Sequence, residues 1–118
     1  MLTGIKQLED LMSTYAVAHM HSVAMGPAIV EYLQRIDATL APYSGRFIVH
    51  GGPVELVEGR WDGHLIVIEF ATRALARAWY ESAAYREILS LRTDNSVSDV
   101  ILVDTVSADH RATDVLGA

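Results

Sequence analysis

The sequence predicts a single small α+β domain, and three observations support this fold class. The length of 118 residues, with 51% hydrophobic and 20% charged residues, is typical of one globular domain. Segments rich in β-compatible residues alternate with segments whose apolar residues recur at helical spacing. Glycine, proline, aspartate and asparagine residues separate these segments. We expect the domain to span residues 14–106, between an N-terminal extension at 1–13 and a polar tail at 107–118.

The first half of the domain predicts a strand, a helix and a second strand. Residues 15–22 are rich in apolar and β-compatible side chains and form the first predicted strand. Pro27 opens the helix, because proline at the first helical position loses no hydrogen bond, and Pro42 and Gly45 end it. The apolar stripe of this helix consists of Ile29, Leu33, Ile36 and Leu40. Residues 46–50 form the second strand, after which two glycines and a proline bend the chain.

The second half predicts a strand, helical segments and a last strand. An Asp-Gly turn at 62–63 precedes the strand at 65–70. Thr72 is a suitable N-cap for the helical region, which continues to about Arg92. Its apolar face holds Leu75, Ala78 and Trp79, and then Tyr85, Ile88 and Leu89. Residues 99–106 complete the domain as a strand.

This order of elements is the βαββαβ arrangement of a ferredoxin-like fold, an antiparallel sheet with both helices on one face. No helix remains for the other face, yet the middle of each of the last two strands is apolar on both sides. A second copy of the sheet is the simplest cover, so we expect a homodimer with sheet-to-sheet packing, a dimeric α/β barrel. The rival is that an arm formed by the extension, with Leu2, Ile5, Leu8 and Leu11, folds over this face.

Strand alternation divides the side chains between the two faces. We assign to the helix side the set that contains no charged residue: Phe47, Val49, Ile66, Ile68, Phe70, Ile101 and Val103. The opposite set contains Arg46, Ile48 and His50; Leu65, Val67 and Glu69; Val100, Leu102 and Asp104; and Tyr15, Val17, His19 and His21. Every strand thus places an ionisable group on the face that a dimer would bury. Such groups must pair or line a wet cavity.

Charge and composition exclude several functions. Nine basic and fifteen acidic residues give a net charge of −6, and no cluster of Lys and Arg is present, so we expect neither a nucleic-acid nor a membrane partner. The chain has no cysteine, which excludes disulfides and thiolate chemistry and is compatible with a cytoplasmic location. We see neither a secretory signal nor a membrane-spanning segment.

Several sequence segments together resemble a known bacterial family. They are Tyr43-Ser44-Gly45-Arg46-Phe47-Ile48-Val49-His50-Gly51-Gly52, Leu56-Val57-Glu58-Gly59 with Trp61, Val67-Ile68-Glu69-Phe70, and Ala76-Arg77-Ala78-Trp79-Tyr80 with Tyr85. Over about residues 15–106 the chain resembles the domain of unknown function 1330. The resemblance implies a ferredoxin-like domain of the dimeric α/β-barrel superfamily. That superfamily includes cofactor-independent monooxygenases, haem-degrading enzymes, muconolactone isomerases and chlorite dismutases, so the fold alone selects no chemistry.

The charged face suggests a catalytic site. In this hypothesis Arg46 holds a carboxylate or enolate oxygen, His50 or His19 moves a proton, and Glu69 orients the histidine. The alternative is that Arg46 and Glu69 form only an interface ion pair. As ligand-binding residues we nominate Trp79, Tyr85, Arg92 and Asp104.

Two histidines of the first strand, His19 and His21, share one face and could in principle hold a divalent metal together with His50 or Glu69. Histidines at a surface or interface are commoner, so we assign no metal and no cofactor. Two functions stay open: a cofactor-independent enzyme acting on a small acidic or carbonyl compound, or a non-catalytic dimer that binds a small molecule or serves in assembly.

Overall fold

The computed structural model describes residues 12–117. Four strands and three α-helices follow the order β1 Thr14–Val23, α1 Pro27–Leu40, β2 Arg46–His50, β3 His64–Phe70, α2 Arg73–Tyr80, α3 Ala83–Thr93 and β4 Ser96–Asp104. Short 3-10 turns occupy Ala41–Tyr43 and Ala112–Gly117. The predicted order of strands and helices is confirmed, although β4 begins three residues earlier than expected. The predicted N-terminal arm lies outside the described residues.

The strands form one antiparallel sheet in the order β2-β3-β1-β4. Helices α2 and α3 are capped by Thr72 and Ser82, whose hydroxyl oxygens accept hydrogen bonds from the backbone N–H groups of Leu75 and Tyr85. The helices cover one face of the sheet. The buried core between them consists of Ala16, Tyr32, Ile36, Leu40, Ile68, Phe70, Ala76, Trp79, Tyr85 and Ile88. None of the helices within residues 12–117 is long and apolar enough to cross a membrane.

The face assignment made from the sequence is correct for β1 and β3 but wrong for β4. Ala16 belongs to the helix-side core and pairs with Leu102, so Leu102 and Asp104 lie on the helix side. Ile101 and Val103 lie on the opposite side, where they are exposed. The error arose because the charge-free set was assigned to the core. A carboxylate at the end of a strand can face the helices when polar partners are within reach.

A β-bulge also changes the assignment on β2. Arg46 pairs with Glu69 and Phe47 with Ile68, but the register then shifts, so that Val49 pairs with Val67. The extra residue returns His50 to the helix side and places Val49 on the other, opposite to the sequence prediction. We call the uncovered side the open face; it contains Tyr15, Val17, His19, His21, Arg46, Val49, Leu65, Val67, Glu69, Asp99, Ile101 and Val103.

Candidate functional site

A cavity of about 310 Å³ lies between the helix side of the sheet and the helices. Two small residues of β1, Ala16 and Ala18, form part of its floor and leave room that larger side chains would fill. Most of the remaining wall is apolar. It includes Met20, Ile29, Ile36, Phe47, Ile66, Ile68, Trp79 and Val100. A cavity of this size and character suits a small, mainly apolar molecule.

Polar groups on the cavity wall come from α1 and α3. The hydroxyls of Tyr32 and Tyr85 lie 2.7 Å apart, and both side chains are buried. Burial is the main cause that raises the pKa of Tyr32 far above its usual range, and the neighbouring Tyr85 raises it further. This phenol is therefore neutral at all ordinary pH values. The pair can therefore offer an O–H donor into the cavity without carrying a charge.

Arg92 is the buried cation of the cavity wall. Its side chain is only 6% exposed, and Nη1 donates a hydrogen bond to Ser98 Oγ at 2.9 Å. Burial works to lower the pKa of Arg92, but the Tyr85 and Tyr32 phenols outweigh it and the net shift is upward. Within residues 12–117 no carboxylate lies within ion-pair distance of this guanidinium. A buried, charged donor is thus directed at a cavity without a counter-ion from the described chain.

Histidine side chains lie at the wall near β2 and β3. The ring of His50 stacks on Phe47 with centroids 4.2 Å apart, and both residues line the cavity together with His64. The bulge in β2 is what directs His50 to this side. His50 and Arg92 therefore lie on one cavity, although the sequence placed His50 on the open face.

The other proposed catalytic residues lie elsewhere. Arg46 contacts Glu69 through Nε at 2.9 Å and Nη2 at 2.8 Å, and Ser13 Oγ donates to the second carboxylate oxygen of Glu69 at 3.3 Å. These residues line a second groove, together with Met12, Ser44 and residues 70–72 at the end of β3. The prediction that Arg46 and His50 share a face is wrong, because the bulge separates them. Tyr15 of β1 pairs with Glu69, and His19 lies four residues further along the strand. His19 is therefore about 13 Å from that pair.

The two histidines of β1 meet the loop before β3. His19 Nε2 lies 3.1 Å from Asp62 Oδ1, and His21 Nδ1 lies 3.0 Å from the same oxygen. His21 Nε2 lies 2.9 Å from Asp99 Oδ2. The hydrogen bond to Asp99 raises the pKa of His21 most, and the hydrogen bond to Asp62 adds a smaller increase. The pKa of Asp62 is lowered chiefly by its hydrogen bond to His21. Neither His50 nor Glu69 belongs to this cluster, in contrast to the metal set considered from sequence.

Asp104 is not a wall residue of the cavity. Its carboxylate accepts a hydrogen bond from Thr14 Oγ1 at 2.9 Å and lies 3.1 Å from Arg73 Nη2 at the start of α2. The Thr14 hydrogen bond, with a smaller effect of Arg73, lowers the pKa of Asp104 below its ordinary value of 3.8. Asp104 thus connects the end of β4 to β1 and α2.

We expect Asp104→Asn to reduce the acid dependence of stability. A carboxyl whose folded pKa is lowered stabilises the fold above its unfolded pKa and loses this contribution as pH falls through the folded value. Urea midpoints of the wild type and the variant should therefore differ at neutral pH and converge as the pH falls through the lowered pKa of Asp104. Asp37→Asn, on the exposed side of α1, is the matched control; an equal convergence there would assign the effect to general charge.

Of the four ligand-binding residues nominated from sequence, Trp79, Tyr85 and Arg92 line the cavity and Asp104 does not. The sequence analysis missed Tyr32 and Ser98. A signal for Tyr32 was present, because it lies three residues after Ile29 and four before Ile36 and so shares their helix face. Asp62 was read only as a turn residue, and nothing in its local sequence indicates its contact with β1.

Solved structures similar to this chain support the fold. A dimeric ferredoxin-like protein of unknown function from Jannaschia sp. CCS1 has a TM-score of 0.61 and 10% identity, covering 77% of this chain and 97% of that one. The hydroxynitrile lyase from Passiflora edulis has a TM-score of 0.59 and 11% identity, covering 86% and 98%. A variant of SnoaB, a cofactor-independent oxygenase from Streptomyces nogalater, has a TM-score of 0.53 and 16% identity, covering 86% and 97%.

Comparison by sequence identifies the family. A search of curated proteins gives no match. The family model described as a domain of unknown function, DUF1330, matches residues 13–106, most of the chain, in agreement with the resemblance noted from its motifs. The chain belongs to the DUF1330 family.

Proposed function

We propose that the protein binds a small, mainly apolar carboxylic acid or carbonyl compound in the cavity between sheet and helices. The observation that carries this proposal is the buried Arg92, which has no carboxylate partner in residues 12–117 and lines an otherwise apolar space. An isolated buried charge is costly, and an anionic or strongly polarised oxygen of a ligand would offset that cost. Tyr32 and Tyr85 would complete the oxygen-binding end.

The volume and lining limit the ligand. A cavity of about 310 Å³ is at the lower end of the range for small-molecule sites, so a short-chain or single-ring compound fits better than a nucleotide or a large cofactor. Trp79 and the isoleucines of α1 and β3 would contact its apolar part. A small organic acid with one apolar end satisfies both the shape and the charge of the cavity.

Within this proposal His50 is the candidate for proton transfer. Histidine exchanges protons readily near neutral pH, and the ring of His50 lies on the cavity wall against Phe47. A guanidinium that holds an enolate oxygen and an imidazole that moves a proton would allow cofactor-independent chemistry. The similar folds of a hydroxynitrile lyase and a cofactor-independent oxygenase are compatible with this, as fold-level analogies. The alternative is a non-catalytic dimer that binds the same ligands or serves in assembly.

The test of binding is a screen of aliphatic and aromatic carboxylates, with their amides as uncharged counterparts, by thermal shift and then calorimetry. We expect Arg92→Met to weaken binding of the best carboxylate by about 10- to 100-fold, because a charge-assisted hydrogen bond contributes about 1.5–3 kcal/mol. Arg35→Met is the matched control, since it removes an exposed arginine of α1 that pairs with Glu31 and Glu87. Equal affinity of wild type and Arg92→Met for carboxylates would remove the proposed site.

His50→Gln separates an enzyme from a binder. If the cavity is catalytic, this variant should keep its ligand affinity while turnover of a converted ligand falls by about 100-fold or more, since general acid–base catalysis contributes 10²–10⁴-fold. Turnover is followed by loss of the bound compound over time. Ligands that bind but are recovered unchanged would favour the non-catalytic alternative.

We also propose that two chains associate through their open faces. The exposed apolar residues Val49, Ile101 and Val103 lie there. An apolar surface on one side of a sheet is usually covered by another layer or by a partner. The Jannaschia protein of similar fold is dimeric, which supports a twin copy as the cover. Light scattering after size exclusion should give about twice 13.0 kDa for the chain.

A further inference from the structure

The open face contains a cluster of three side chains of types that commonly bind metal ions, outside the cavity. His19 and His21 project from β1 on the same side, and Asp62 comes from the loop that leads into β3. One potential ligand atom from each residue lies within 4.8 Å of the other two. We propose that His19, His21 and Asp62 bind one divalent transition-metal ion.

The interatomic distances suit such an ion. Asp62 Oδ1 lies 3.1 Å from His19 Nε2 and 3.0 Å from His21 Nδ1. Two adjacent ligands of a six-coordinate ion at about 2.1 Å are themselves about 3.0 Å apart, and those of a tetrahedral ion about 3.4 Å apart. These two separations match the ligand spacing of such an ion, and the ligand atoms of His19 and His21 lie within 4.8 Å of each other.

Neighbouring groups fix the orientation of both imidazoles. The second ring nitrogen of His21, Nε2, lies 2.9 Å from Asp99 Oδ2, which is the carboxylate–histidine contact commonly found behind metal ligands. The indole of Trp61 stacks on His19 with centroids 4.2 Å apart and ring planes only 4° apart. These contacts hold the rings in place, which lowers the entropy lost when an ion binds.

The ligand set selects the class of metal. Two imidazoles and one carboxylate favour Zn²⁺, Ni²⁺, Co²⁺ or Fe²⁺ over Mg²⁺ and Ca²⁺, which prefer sites made only of oxygen. Three protein ligands leave open positions for water or a further ligand. The backbone carbonyl of Asp62, 2.8 Å from His19 Nε2, is an additional oxygen near the site.

The test is calorimetric titration of tag-free protein with Zn²⁺ and Ni²⁺ in slightly alkaline buffer, because an imidazole must be deprotonated to bind a metal ion. We expect one ion per chain, no comparable binding of Mg²⁺, and a visible absorption band when Co²⁺ is added. His19→Ala and Asp62→Asn should each weaken Zn²⁺ binding by more than about 10-fold, and Asp99→Asn by about 10-fold through the loss of orientation of His21. Circular dichroism confirms that the variants fold.

The matched control is His110→Ala, which removes a histidine that lies 3.6 Å from Asp114 but has no third ligand among residues 12–117. It should leave Zn²⁺ affinity and the Co²⁺ band unchanged. The proposal is overturned if His19→Ala and Asp62→Asn bind Zn²⁺ as tightly as the wild type, or if His110→Ala loses as much affinity as they do. The result is independent of the cavity, since none of the three proposed ligands lines it.

Discussion

Gly63→Ala should destabilise the protein by about 2–5 kcal/mol, from left-handed backbone strain and overpacking together. Gly63 adopts φ +75°, a left-handed conformation that disfavours any side chain. A Cβ atom at this position would lie 1.8 Å from the backbone oxygen of Met20 in β1. The backbone of β1 would have to move, because a main-chain oxygen within a paired strand has no alternative position.

Urea denaturation followed by circular dichroism measures this effect as a lower midpoint. Gly52→Ala is the matched control, because a Cβ there would have no atom of the described chain within 4 Å apart from its chain neighbours, and its φ is not positive. We expect its free energy of unfolding to stay within about 0.5 kcal/mol of that of the wild type. Unchanged stability of Gly63→Ala would mean that the loop before β3 does not approach β1 as described.

Ile101→Asp should convert the proposed dimer into a monomer. Ile101 lies on the open face, pairs with Val17 across β1 and β4, and is 57% exposed in the single chain. In a two-fold dimer each substitution occurs twice, so two unpaired carboxylates would enter the apolar part of the interface around Val17 and Val67, at a cost of several kcal/mol per ion. The dissociation constant of the dimer should therefore increase by about 100-fold or more.

Light scattering over a dilution series measures the molar mass, which should be about twice 13.0 kDa for the wild type and 13.0 kDa for Ile101→Asp. Val30→Asp introduces the same carboxylate in place of an exposed apolar residue on α1, away from the open face, and should stay dimeric. A wild-type monomer at all concentrations, or a dimer of Ile101→Asp with unchanged affinity, would contradict association through the open face.

The sequence predicted the helices and strands because their signals are local. Pro27 after Gly26 starts α1 and Thr72 caps α2. Of the predicted apolar faces, Ile29, Ile36, Leu40 and Trp79 are buried, but Leu33 and Ala78 are exposed. The sequence analysis also nominated Trp79, Tyr85 and Arg92 as ligand-binding residues; all three line the cavity, and their role in binding stays a prediction. The assignment of faces was wrong after the β2 bulge, because one inserted residue moves every following side chain to the other face. On β4 it was wrong because the charge-free set of residues was assigned to the helix side.

The sequence by itself determined the α+β class, the order of strands and helices, and the family, because these depend on periodicity, capping and motifs along the chain. Only the tertiary structure decided which polar groups meet. The bulge in β2 places His50 on the same cavity as Arg92, whereas Arg46 pairs with Glu69 on the open face. The loop before β3 brings Asp62 into contact with the histidines of β1. Contacts between distant segments depend on register and loop path, and neither has a signal in the local sequence.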